Sequence, residues 1–127
     1  MAPVKFTNLE DRLNPAPLEG IDDGTLGGYP AVYGRAPGFE GSDGHAYTVA
    51  VEVEPADDGT GEWVAYLVFL RWAAGGGAIM GHLESGDLAH GPSGEAARES
   101  VGELSLRQVK AVLEELIGER LRESGEE

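Results

Sequence analysis

The most regular stretch of the chain is residues 46–54, where Tyr47, Val49, Val51 and Val53 alternate with Thr48, Ala50, Glu52 and Glu54. A period of two with one apolar side predicts a half-buried strand. Asp57, Asp58, Gly59 and Gly61 then supply a hairpin turn, because Asp-Gly and glycine tolerate positive φ. The segment Trp63–Trp72 that follows is apolar on both sides: Trp63, Ala65, Leu67 and Phe69 share one face, and Val64, Tyr66, Val68, Leu70 and Trp72 the other. Such a strand belongs in the middle of a sheet, covered on both sides, or on one side by its own helix and on the other by a second chain. Gly75, Gly76 and Gly77 turn the chain again, and residues 78–83 return as a further strand weakened by Gly81.

Upstream the pattern is looser. Residues 29–34 alternate weakly and predict a first, edge strand, where Pro30 is tolerated because an edge can spare one ladder donor. Residues 35–45, with Pro37, Gly38, Gly41 and Gly44, read as a loop. Residues 1–28 hold three prolines and four glycines and read as an extended lead-in that wraps the domain, with at most a helical turn over 9–13.

Downstream, residues 84–103 are polar and glycine-rich, with a short helix expected over 95–100. Ser105 and Gln108 have the spacing of a capping box, and Leu104 and Val109 that of a hydrophobic staple. Leu106, Val109, Val112, Leu113, Leu116, Ile117 and Leu121 then recur every three or four residues, which predicts an amphipathic helix to about Arg122. Arg120 and Arg122 suit the negative end of its dipole. Residues 124–127 form a frayed tail. The sum is an α+β fold over 29–123: an antiparallel sheet of about four strands in a meander, with one C-terminal amphipathic helix packed on one face. One helix leaves the second face of Trp63–Trp72 to the lead-in or to another chain, and a symmetric homodimer is the commonest self-association.

Composition narrows the chemistry. A length of 127 residues fits a single domain, and the absence of cysteine excludes thiol catalysis, disulfides and cysteine-ligated metals. Asp and Glu total 23 against 9 Lys and Arg, a net charge of −14 that repels phosphate backbones and anionic lipid heads. Neither nucleic acid nor a membrane is an expected partner. Residues 63–81 approach the length of a membrane span, but Arg71 and three consecutive glycines favour strands instead. The first eleven residues lack the apolar core of a secretory signal, so a cytoplasmic location is expected.

His82, Glu84, Asp87 and His90 lie close in sequence and have the side chains of a two-histidine metal or acid-base site, with His45 in reserve. Their bland reading is ordinary strand-end and loop residues, since the spacing enforces no geometry. Asp57–Glu62 lacks the register of a calcium loop, and Gly75–Gly77 lacks the following Lys-Ser or Lys-Thr of a phosphate cradle. No cofactor is implied. Trp63, Tyr66, Trp72 and Arg71 are candidates for a ligand or interface surface, against the alternative of plain core packing for the aromatics. Arg71 continues the face of Leu67 and Phe69, where an unpaired charge is costly, so it is expected near the strand end or paired with an acidic group such as Glu52 or Glu54. Three functions fit. The first is a small acidic protein-binding or regulatory module acting on a protein partner or as a homodimer. The second is a small enzyme built on the histidine and carboxylate cluster. The third is a pocket for an apolar ligand between helix and sheet, lined by Trp63, Tyr66 and Trp72.

Overall fold

A computed structural model describes residues 23–123; the rest of the lead-in and residues 124–127 lie outside the described residues. In chain order the elements are α1 (Gly28–Tyr33), β1 (Gly38–Glu40), β2 (Ala46–Pro55), β3 (Trp63–Trp72), β4 (Ile79–Glu84), β5 (Ala89–Gly91), α2 (Gly94–Gly102) and α3 (Leu106–Glu123). All strand pairs are antiparallel, and β1, β2, β3 and β4 form a meander, of which the sequence pattern predicts β2, β3 and β4. The short β5 pairs with the opening residues of β3, on the edge whose closing residues pair with β4. Both edges of β3 are therefore occupied along most of its length, which places it inside the sheet.

Register sets the faces. Tyr47, Val49, Val51 and Val53 lie opposite Arg71, Phe69, Leu67 and Ala65, and this side receives the helices. α2 brings Ala97 and Val101, α3 brings Val109, Leu113 and Ile117, and Leu26 joins them, giving one core in which Leu67, Phe69 and Leu113 are fully excluded from water. Each such side chain contributes about 2–3 kcal/mol by burial. The capping box forms in both directions: the Gln108 N–H donates to Ser105 Oγ at 3.0 Å, and the Ser105 N–H to Gln108 Oε1 at 2.8 Å. Among the described residues no helix is long and apolar enough to cross a membrane.

Three local expectations need correction. Residues 29–34 are not a strand, because α1 occupies this position. Thr25 Oγ1 accepts from the Gly28 N–H, Pro30 sits in the first turn where its missing N–H goes unused, and Gly34 ends the helix at φ 73°. Tyr29 and Tyr33, the source of the apparent alternation, are an i,i+4 pair with ring centroids 4.5 Å apart. The expected loop over 35–45 contains β1, and the polar stretch over 84–103 contains β5 as well as its helix. The glycine before that helix has a packing role: a Cβ on Gly91 would lie 2.7 Å from the Ala97 nitrogen, so β5 and α2 meet backbone to backbone. α2 also lies on the same side of the sheet as α3, so two helices rather than one cover that face.

Candidate functional site: the uncovered sheet face

The opposite side of the sheet carries no element among the described residues. Here the register aligns Ala46 with Trp72, Thr48 with Leu70, Ala50 with Val68, Glu52 with Tyr66 and Glu54 with Val64. β4 extends the rows with Ile79 beside Trp72, His82 beside Leu70 and Glu84 beside Val68, and β5 adds His90 beside Val64. Trp72 lies flat enough for its Nε1–H to donate to Thr48 Oγ1 at 3.0 Å.

This face is graded. Its Trp72 end is apolar, and Ile79 and Met80 at the adjoining hairpin are 53% and 55% exposed. Soluble chains seldom leave such side chains clustered in water without a use for them. A shallow cavity of about 450 Å³ opens at this end, between the turn before β2 and the β3–β4 hairpin, with Ala46, Trp72, Ala74 and Met80 in its wall. The other end is acidic: Glu52, Glu54, Glu84 and Asp87 surround Tyr66. Partial burial first, and then the field of these four carboxylates, raises the Tyr66 phenol above its ordinary pKa. Arg120 of α3 shares a cavity at the β4 edge with His82 and Glu84; among the described residues the other cations stand elsewhere. Arg71 faces the helices, Arg35 lies over the Tyr29 ring, Arg98 reaches from α2 to the Val51 carbonyl, and Arg107, Lys110 and Arg122 belong to α3.

The sequence-predicted residues are distributed as follows. His82 and Glu84 meet, Nε2 to Oε2 at 3.3 Å. His90 instead faces Glu62, Nδ1 to Oε1 at 3.9 Å. The two histidines lie opposite Leu70 and Val64, six positions apart on β3, hence separated by roughly 20 Å of strand. Asp87 belongs to the acid ring around Tyr66. His45 lines the cavity at the far end. Among the described residues no three His, Asp or Glu side chains form a group able to hold a metal ion. Tyr66 and Trp72 share the uncovered face, whereas Trp63 faces the helices with its ring against Gly94, so the three aromatics do not line one pocket.

Arg71 requires a correction. Glu52 and Glu54 lie on the other face and cannot pair with it. Its guanidinium instead stands beside Tyr47, in space that Gly81 leaves free: a Cβ there would be 3.4 Å from Arg71 Nη2. The Arg71 Nε is buried without a hydrogen-bond partner. The Tyr47 hydroxyl donates to Asp43 Oδ2 at 2.7 Å, and burial together with that bond pushes the phenol up to about 12. This network ties the turn before β2 to the core.

Sequence reasoning missed Ile79 and Met80 as surface groups. Their signal was present, since two large apolar side chains directly after a glycine-rich turn are placed at a hairpin end where burial is hardest to achieve. Compared with known proteins, the chain matches no family model, no curated protein and no solved structure.

Proposed function

We propose that the chain is a small acidic protein-binding module whose uncovered sheet face docks a partner chain. The observation that carries this reading is the contrast between a face closed by two helices and a face on which Val64 is buried but Tyr66, Val68, Leu70 and Trp72 are only half-buried. A contiguous apolar patch rimmed by charge is the common form of a docking surface.

Charge selects the occupant. Glu40, Glu52, Glu54 and Glu84 all lie on this side, and a second copy would bring the same groups against them. Like charges across an interface disfavour that pairing, and opposite charges favour and steer it. The chain's own first 22 residues carry Glu10, Asp11, Glu19 and Asp22 against Lys5 and Arg12, so they complement the face no better. The partner is therefore a basic protein surface with an apolar centre.

Photo-crosslinking tests this in the full chain, with benzoylphenylalanine at position 70 and, as a control, at position 107 on exposed α3. The expected result is adducts from position 70 only, to proteins that bind the chain when purified and present a basic surface. Equal adducts from both positions would contradict the docking face. Adducts confined to copies of the chain, with a sedimenting dimer that Leu70→Glu dissolves, would contradict the basic partner.

A further inference from the structure

The cavity beside Trp72 and the acid ring around Tyr66 occupy opposite ends of the same face. Trp72 and Tyr66 are six residues apart on β3, so the two features are separated by roughly 20 Å along the strand. The cavity wall is predominantly apolar, and at about 450 Å³ it has room for one large side chain of a partner. Both edges of β3 are taken, so a partner cannot extend the sheet at its centre and must lie across the face. On the other side that role is filled by helices, the element that packs on a sheet face in a layered α+β domain.

Resting on the docking reading above, we infer that the occupant is an amphipathic helix which seats one bulky apolar side chain in the cavity at Trp72 and Met80 and sets Lys or Arg against Glu52, Glu54 and Glu84. A rise of 1.5 Å per residue converts roughly 20 Å into about thirteen residues between anchor and cations. The anchor supplies affinity through a desolvated contact, and the cations supply direction and association rate. A helix laid the other way round would put cations in an apolar cavity and its apolar anchor among carboxylates.

The probe is a synthetic helix of about twenty residues with Phe at one end and three Lys about thirteen residues away, titrated into the full chain by fluorescence anisotropy. Saturable binding is expected, weakening by tenfold or more from about 10 to about 150 mM salt as screening shortens from about 30 to about 8 Å. Replacing the peptide Phe by Ala, or Met80→Glu in the chain, is expected to weaken binding about tenfold, the loss typical of an anchor. Combined Glu52→Gln, Glu54→Gln and Glu84→Gln is expected to flatten the salt dependence while leaving the Phe effect intact. Equal binding of a peptide with Glu in place of its Lys, or no saturable binding of the parent peptide, would overturn the inference. Salt-dependent binding that position 70 crosslinks, but that ignores both Phe→Ala and Met80→Glu, would overturn the anchor and leave the docking face standing.

Discussion

Leu67 and Leu70 stand three residues apart on one strand, yet Leu67 is wholly excluded from water under α2 and α3 while Leu70 is only half-buried beside Thr48 and His82. The two faces of β3 have similar composition and unequal cover, since Leu67 and Phe69 are fully buried and Val68 and Leu70 only half-buried. Hydrophobicity along a strand therefore measures what a face is able to bury, and the covering elements decide whether burial happens within this chain. Where they do not, the unspent apolar surface is available for binding.

The sharpest way to break the contrast is truncation on either face. Phe69→Ala or Leu67→Ala removes fully buried side chains and is expected to lower unfolding free energy by about 3–5 kcal/mol, against about 1 kcal/mol or less for Leu70→Ala, by urea denaturation. Equal losses would show that the second face is also buried. Next comes the backbone contact that brings α2 onto the covered face. Gly91→Ala places a methyl group against the Ala97 nitrogen and the Ala96 carbonyl carbon, and is expected to destabilise by about 2–3 kcal/mol.

Alkaline titration separates the faces by a different route. Tyr47, on the covered face, titrates near 12 when folded and near 10 when unfolded, so between those values the unfolded chain releases a proton that the native chain keeps. Stability that is complete below pH 10 is therefore lost as pH rises toward 12, by about 2 kcal/mol. Tyr47→Phe is expected to abolish most of this fall, and Tyr66→Phe on the open face only the lesser part. The smallest effect belongs to the cap of the covering helix: Ser105→Ala frees the Gln108 amide and is expected to cost about 1 kcal/mol.

What was legible in the sequence followed from length and period. β2, β3 and α3 are long enough for their faces to be read from the sequence, and β4 was placed to within a residue by the glycine turn before it. β1 and β5 have three residues each, too few to display a period, and they form because β2 and β3 offer them unpaired edges. α1 was misread because two tyrosines four residues apart satisfy an even spacing as well as a helical one. Of the site, the aromatic side of β3 was legible and its neighbours were not. The cavity arises from closure of two turns that are distant in sequence, and the sequence-adjacent histidines part because β4 and β5 pair with opposite ends of one strand.

The absence of cysteine makes one measurement decisive, because a single introduced thiol reports its own surroundings. Leu70→Cys and Leu67→Cys, each in the full chain, are to be labelled with a thiol reagent under native conditions, with and without the Phe-anchored basic helix. The account predicts rapid labelling at position 70 that the helix suppresses, and labelling at position 67 only as fast as the protein unfolds. Protection of position 70 in the monomeric chain alone, or unchanged labelling there once the helix is bound, would contradict it.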